Sequence, residues 1–225
     1  MAGHELDTPI ELAALLCLDC YARCHIRNLC EDGECPIGRF SSFYFNPLFI
    51  YNARIIERGF MLLILFGLSG SGKNYVGRIL RDEYGMHFYD ADTDLTPAMQ
   101  DAIRDQRVIP DAARDAFFQR LVERIEELRK REENLVVSQA IYKEKHREQI
   151  LRSFPDAQFV WVRAPLDVIA QRLARRTDNP ATLAYAEKIL SIFEPPRIRH
   201  FALDNAGGRE DVKQQIEQIL AQIHA

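Results

Sequence analysis

The sequence predicts an α/β fold in which a parallel sheet of five strands lies between layers of helices. From Met61 onward, short apolar segments alternate with longer segments whose apolar residues recur at helical spacing. Strands separated by helices of this length run parallel, and the helices then cover both faces of the sheet. Ligands of such sheets bind at the carboxyl ends of the strands. We therefore expect a site formed by the loops at 67–73, 90–92 and 138–143.

The apolar patterns predict each element in turn. Met61–Phe66 is apolar throughout, as is typical of a fully buried strand, and Asp111–Arg131 repeats apolar residues at helical spacing. The other predicted strands are His87–Tyr89, Asn134–Ser138, Gln158–Val162 and His200–Leu203. The other predicted helices are Lys73–Glu83, Lys143–Leu151, Pro165–Arg175, the region 181–192, and a C-terminal helix that carries Val212, Ile216, Ile219, Leu220 and Ile223.

Composition excludes several classes of protein. The 225 residues are 47% hydrophobic and 28% charged, with a formal net charge of −4. This slight acidity gives no reason to expect nucleic acid or an anionic membrane as a partner. The longest apolar run, Met61–Leu68, is much shorter than the roughly 18 to 20 residues of a membrane-spanning helix. No basic start followed by an apolar segment marks a secretory signal, so we expect a cytoplasmic protein.

Residues 1–60 differ from the rest of the chain. They contain all five cysteines and show no sustained helical or alternating apolar period. We expect them to be an extension outside the native fold, with Met61 as the true start and 61–225 as the functional domain. The alternative is a zinc or iron–sulfur site. Its ligands would come from Cys17, Cys20, Cys24, His25, Cys30 and Cys35.

The strongest functional signal is the glycine-rich loop after the first strand. Its residues are Gly67, Leu68, Ser69, Gly70, Ser71, Gly72 and Lys73, which match the phosphate-binding P-loop up to its lysine. The loop amides and the start of the next helix are expected to hold the phosphates of ATP, while Lys73 neutralises the transferring phosphoryl group. Asn74 stands where Ser or Thr normally binds Mg²⁺, and its amide oxygen can serve as a direct or water-mediated ligand.

Two aspartates follow the second strand. Alternation along an extended segment predicts that Asp90 and Asp92 point to the same side, at the ligand-binding end of the sheet. One carboxylate is expected to hold Mg²⁺ through water, Asp90 being the candidate, and either one to accept the proton of an attacking hydroxyl. The alternative is a polar turn with an aspartate cap.

A third group consists of Arg172, Arg175 and Arg176. Their spacing places them along one helical face just before the turn-forming residues 177–180. Arginines on a closing flap can bind ATP and stabilise the transferring phosphoryl group, which is the catalytic role expected of Arg176. The alternative is an ordinary solvated helix face.

From Met61 to its end, the chain resembles the small P-loop metabolite kinases, with gluconate kinase first and shikimate kinase second. The segments that carry this resemblance are GLSGSGKN, YDADTDLTP, MQDAIRDQRVIPDAARDAF, SQAIYKEKHREQIL, FVWVRAPLDVIAQRLARR and ILSIFEPP. The resemblance implies a P-loop kinase fold with a small lid, and ATP-dependent phosphorylation of a hydroxyl on a small metabolite such as gluconate. It also implies a place for Asp111 and Arg114, together with Asp92, on the substrate side.

The sequence departs from the gluconate kinase pattern at the substrate end. Thr96 replaces a histidine, Ser138 and Gln139 replace Cys-Ser, and the lid motif is absent around 177–181. The acceptor therefore stays open between a sugar acid, another small hydroxylated metabolite, and a nucleoside or nucleotide. A nucleotide-binding regulator without transfer chemistry is a further alternative, because Asn74 replaces a metal ligand. We expect a monomer or a homodimer.

Overall fold

The computed structural model describes residues 61–175 and 181–224. The predicted extension 1–60, Arg176 and the turn at 177–180 lie outside the described residues, and so does the tip of the predicted lid. Within the two described ranges, no helix combines the length and the apolar composition that crossing a membrane requires.

The prediction of a five-stranded parallel sheet flanked by helices is confirmed. The strands are β1 (Met61–Phe66), β2 (His87–Asp90), β3 (Asn134–Gln139), β4 (Gln158–Arg163) and β5 (Phe201–Asp204). The helices are α1 (Lys73–Tyr84), α2 (Pro97–Arg104), α3 (Asp111–Arg129), α4 (Glu144–Ser153), α5 (Leu166–Ala174), α6 (Leu183–Ser191) and α7 (Arg209–Ile223). All strand pairs are parallel, in the order β2-β3-β1-β4-β5.

β1 is central, and all six of its residues are buried. Its alternate side chains pack into two separate hydrophobic clusters, one on each face of the sheet. Leu62, Ile64 and Phe66 face a cluster that includes residues of α3. Leu63 and Leu65 face a cluster formed with α1 and α7. Burial on both faces explains why this strand reads as an unbroken apolar run.

Helix α2 was missed by the sequence analysis. Only Met99 and Ala102 of its eight residues are buried, so its apolar pattern is too thin to predict a helix. The local start signal is nevertheless present, because the Thr96 hydroxyl accepts a hydrogen bond from the Met99 N–H and Pro97 occupies the first helical position.

The predicted extended segment at 90–92 is wrong. β2 ends at Asp90, and Ala91–Asp94 forms a short 3₁₀ helix. The Asp90 carboxylate accepts a hydrogen bond from the Asp92 N–H at 3.1 Å and thereby caps this helix. The two carboxylates reach the same site because the chain turns between them, and strand alternation is not the cause.

Candidate active site at the carboxyl ends of the strands

The glycine-rich loop turns tightly from β1 into α1. Gly67 and Gly72 adopt φ values of 151° and 95°, which residues other than glycine rarely adopt. A Cβ at Gly67 would lie 2.2 Å from the carbonyl oxygen of Val162, so the loop also requires glycine for its close approach to β4. The loop ends at the N-terminus of α1, where the direction of the first backbone N–H groups and the helix dipole favour an anion.

Lys73 is the first residue of α1 and its side chain is largely buried. Its ammonium donates a hydrogen bond to the Leu68 carbonyl at 3.1 Å, which bends the side chain back across the loop. The lysine therefore lies beside the loop amides, as the P-loop pattern predicts.

A cavity of about 460 Å³ opens over this loop. It is lined by Ser69, Gly70, Gly72, Lys73, Asn74, Tyr75, Arg78, Asp92, Arg172, Arg175, Asn205, Gly207, Gly208 and Arg209. The structure thus brings two of the three predicted arginines, Arg172 and Arg175, to the phosphate loop. Arg175 is exposed, whereas Arg172 donates to the Ser71 carbonyl at 3.2 Å and to the Asn205 carbonyl at 2.7 Å.

A second cavity, of about 570 Å³, lies on the other side of Asp92. Its polar lining residues include Asp90, Asp92, Gln100, Arg104, Arg114, Gln139, Tyr142 and Tyr185, and its apolar lining residues include Leu95, Ile103, Ile109, Phe117 and Ile189. The two cavities share Ser69, Asn74 and Asp92. They therefore meet beside the phosphate loop, which is the arrangement that transfer between two bound molecules requires.

The two aspartates have different surroundings. Both oxygens of Asp90 accept hydrogen bonds, Oδ1 from the Asp92 N–H and Oδ2 from the Asn74 side-chain amide. Asp92 is half-buried and lines both cavities. Burial raises the pKa of Asp92; the Lys73 ammonium opposes this shift and Asp90 adds to it.

Asn74, in the first turn of α1, links the carboxyl ends of two strands, β2 and β3. Its Nδ2 donates to Asp90, and its Oδ1 accepts a hydrogen bond from the Ser138 hydroxyl. The amide oxygen that the sequence analysis offered to Mg²⁺ is thus already used within the protein. Parallel register brings Asp90 and Ser138 side by side, since they are partners across β2 and β3.

The carboxylates next to the loop fit a magnesium ion. Mg²⁺ prefers one or two carboxylates together with phosphate oxygens and water. Asp90, which lines the second cavity, and Asp92, which lines both cavities, supply such donors. In residues 61–175 and 181–224, no group of three or more His, Cys, Asp or Glu side chains could hold a metal by itself. Asn74 would contribute to such a magnesium site by donating a hydrogen bond that holds the Asp90 carboxylate in place.

Arg114 lies deep in the second cavity, with only 4% of its surface exposed. Its guanidinium lies 3.9 Å from the centre of the Tyr142 ring, and burial lowers its pKa. Within the described part of the chain, Arg114 Nε, Gln139 Nε2 and the Tyr142 hydroxyl have no hydrogen-bond partner. Buried donors without partners cost free energy unless a ligand or water satisfies them, so these three groups are available to a ligand with hydrogen-bond acceptors.

Asp111 is not brought into this site. It is exposed in the first turn of α3 and does not line either cavity. It is close enough to Arg114 to act on it electrostatically.

Sequence reasoning missed Gln139, Tyr142, Tyr185 and Asn205. The loop at 138–143 was expected to form part of the site, and Gln139 was noted as a departure from the gluconate kinase pattern, but nothing in the sequence assigned a role to Gln139 or Tyr142. Asn205 directly follows β5, at the same edge of the sheet, and this position after a predicted strand was the signal available for it.

The fold and the site together define a P-loop kinase, with a phosphate loop between the first strand and helix of a parallel sheet and a second cavity beside it. A family model described as an AAA domain matches residues 62–196. This is more than half of the chain, so the chain belongs to that family.

The curated relatives of the chain are small-molecule kinases. The shikimate kinase of Sulfurihydrogenibium sp. is 29% identical over 164 residues, which cover 72% of this chain and 96% of the relative. The thermosensitive gluconokinase of Escherichia coli is 27% identical over 135 residues, which cover 60% of this chain and 72% of the relative.

The structure of a gluconokinase from Sinorhizobium meliloti superimposes with a TM-score of 0.63 at 26% identity, covering 74% of this chain and 95% of that chain. The predicted class, a kinase for a small molecule, is confirmed by these relatives.

Proposed function

We propose that this kinase transfers the γ-phosphoryl group of ATP to a hydroxyl of a small anionic metabolite, with a sugar acid such as gluconate as the first candidate. The observation that carries the proposal is the junction of the two cavities at Asp92, beside Lys73 and the phosphate loop. One cavity suits the triphosphate, and the other suits the acceptor.

The nucleotide side is supported by the loop geometry. The loop amides, the N-terminus of α1 and the Lys73 ammonium offer positive charge to the phosphates. Arg175 lines the same cavity and is exposed, so it is available to the nucleotide. Magnesium held near Asp90 would neutralise charge on the phosphates.

The reaction step follows from the position of Asp92. The acceptor hydroxyl oxygen bonds to the γ-phosphorus, the bond to the β,γ-bridging oxygen breaks, and ADP leaves. The hydroxyl proton passes to the Asp92 carboxylate. A raised pKa makes Asp92 a better proton acceptor than an ordinary aspartate, provided that the pH keeps it ionised. Asp90 is less suited to this role because both of its oxygens already accept hydrogen bonds.

The acceptor side is supported by charge and by unpartnered donors. Arg114 is the buried cation of the second cavity, and a carboxylate is the group that a guanidinium binds best. Gln139 and Tyr142 add donors for further oxygens. Two relatives are named for gluconate and shikimate, which are hydroxylated carboxylic acids. A cytoplasmic location and a role in carbohydrate metabolism agree with such a substrate and belong to the same proposal.

The test is acceptor-dependent ADP release by the full chain with MgATP. The panel contains gluconate, other sugar acids, shikimate, neutral polyols, nucleosides and nucleoside monophosphates, and mass spectrometry identifies the phosphorylated product. We expect a hydroxylated carboxylic acid to give the highest kcat/KM. Turnover confined to a nucleoside, a nucleoside monophosphate or a neutral polyol would contradict the proposal.

A further inference from the structure

The peptide unit between Ser71 and Gly72 in the phosphate loop is held from one side. The Ser71 carbonyl accepts a hydrogen bond from Asn205 Nδ2 at 2.9 Å and another from Arg172 Nη1 at 3.2 Å. Neither donor belongs to the loop or to its helix. The conformation of the loop at this peptide is therefore set by residues beyond β4 and β5.

Asn205 is itself firmly placed. It is 1% exposed, its backbone N–H donates to the Arg163 carbonyl at 2.8 Å, and its own carbonyl accepts from Arg172 at 2.7 Å. The backbone bond to Arg163 continues the β4–β5 pairing by one residue past the end of β5. The sheet thus fixes the position from which the Asn205 amide reaches the loop.

The contact between Asn205 and the loop is close. A Cβ at Gly72 would lie only 2.0 Å from Asn205 Nδ2, so any side chain larger than hydrogen would displace the amide. Gly72 also needs its positive φ. The glycine is required both by the turn and by its neighbour.

A planar trans peptide points its C=O and its N–H in opposite directions. Two donors that fix the Ser71 carbonyl therefore also fix the direction of the Gly72 N–H, which belongs to the same peptide unit, at a residue that lines the nucleotide cavity. We propose that Asn205 is a positioning residue that aims this amide at the nucleotide phosphates. The inference rests on the proposed nucleotide site, but Asn205 acts through the peptide and not through the nucleotide.

The test compares ADP with AMP in calorimetric titrations of the full chain. Asn205→Ala removes the amide donor and leaves the second donor, Arg172, in place. We expect the Kd for ADP to rise by about tenfold or more, because an oriented hydrogen bond to a charged phosphate is lost. The affinity for AMP, which lacks the β-phosphate that a P-loop holds, should change by less than about threefold.

Gln215→Ala is the matched control. The Gln215 amide bonds to both backbone groups of Asp204, the residue just before Asn205, and does not touch the phosphate loop. Gln215→Ala should therefore leave the Kd for ADP unchanged. Asn205→Leu replaces the amide with an apolar side chain of similar size, so it repeats the test without leaving a cavity if the alanine variant unfolds.

Three outcomes would overturn the inference. ADP affinity within about twofold of wild type in a folded Asn205 variant shows that the amide does not position the loop. Equal losses for ADP and AMP show direct contact with the nucleoside part. Failure of the wild-type chain to bind ADP removes the proposed function together with this inference, and so distinguishes the two failures.

Discussion

Asp90 and Asp92 show how two residues of one type, two positions apart, acquire different chemistry. Both carboxylate oxygens of Asp90 accept hydrogen bonds. One of these bonds caps the 3₁₀ helix that places Asp92 beside the two cavities. Asp92 lies between the phosphate loop and Arg114 and has its pKa raised by burial. The sequence left open which aspartate accepts the proton, because the distinction depends on the turn between them and on Asn74.

Replacing Asp92 with Asn should lower kcat by about 10²- to 10⁴-fold, the usual contribution of a positioned general base. In the wild-type enzyme, the acid limb of kcat/KM should lie at a higher pH than an ordinary aspartate gives, because burial raises the pKa. Steady-state kinetics across the acidic pH range measure both effects. Glu123→Gln, which removes an exposed carboxylate on α3, is the control for loss of charge.

Asp92→Asn should also stabilise the ligand-free protein at neutral pH. The folded pKa of Asp92 lies above the ordinary value of 3.8, so the unfolded state binds fewer protons between these two values and stability falls as the pH rises through them. Asparagine removes this loss. Urea unfolding should give a larger free energy of unfolding for Asp92→Asn than for wild type at pH 7. Equal values, together with full turnover, would contradict the assignment of Asp92.

Lys73→Ala should lower kcat by about 10²- to 10³-fold with the fold intact, because the ammonium acts on charge that develops during transfer. Single-turnover rates and thermal unfolding measure the two quantities separately. Lys130→Ala, at the exposed end of α3, is the matched control. If Lys73→Ala turned over at the same rate as Lys130→Ala, phosphoryl transfer would not take place at this loop.

At the scale of elements, a buried ion pair holds the start of α4 against the segment at 194–198. Arg147 is fully buried, pairs with Glu144 at 2.6 Å, and donates to the carbonyls of Ile141 and Glu194 at 2.8 and 2.6 Å. Glu144 in turn accepts the backbone N–H groups of residues 197 and 198. Because each of the three guanidinium nitrogens donates a hydrogen bond within the protein, this network has a structural role and fixes the segment that carries Tyr142 into the second cavity.

Arg147→Met should reduce the free energy of unfolding by about 3–5 kcal/mol, because it leaves the buried Glu144 carboxylate without its counter-charge. Adding Glu144→Gln should restore part of the loss. Urea unfolding of the two single variants and the double variant measures the coupling. Additive losses in the double variant would show that the two side chains do not stabilise the fold as a pair.

The strands and helices were largely predictable because a buried face requires apolar residues at a regular spacing in the sequence. β1 is unbroken apolar sequence because helices cover both faces of the sheet, and α1 and α3 show their buried faces at helical spacing. Helix α2 was not predictable because it buries only two of its residues. The error at 90–92 has a local origin, since a side-chain cap changed the backbone where alternation alone predicted an extended segment.

At the scale of the whole molecule, the parts of the site that lie close together in sequence could be predicted, and those that depend on tertiary contacts could not. Gly67 to Lys73 is one continuous motif. Gln139 and Tyr142 enter the site through the β3 end, and Asn205 through the pairing of β4 with β5. No spacing in the sequence records these contacts.

The chain beginning at Met61 should bind ATP and turn over as the full chain does. β1 begins at Met61, and the family match begins at residue 62. ADP release by the shortened and full chains under the same conditions tests this expectation. Loss of turnover in a folded shortened chain would show that residues 1–60 contribute to function, and metal analysis of the full chain would then test the cysteine site.

A crystal structure of the full chain with a non-hydrolysable ATP analogue and Mg²⁺ tests the central claim most directly. The account predicts that the β-phosphate accepts hydrogen bonds from the amides of the loop between Gly67 and Lys73 and from the Lys73 ammonium. It also predicts that the γ-phosphate faces the side of Asp92 and Arg114. A nucleotide bound elsewhere, or one whose γ-phosphate points away from the second cavity, would contradict the account.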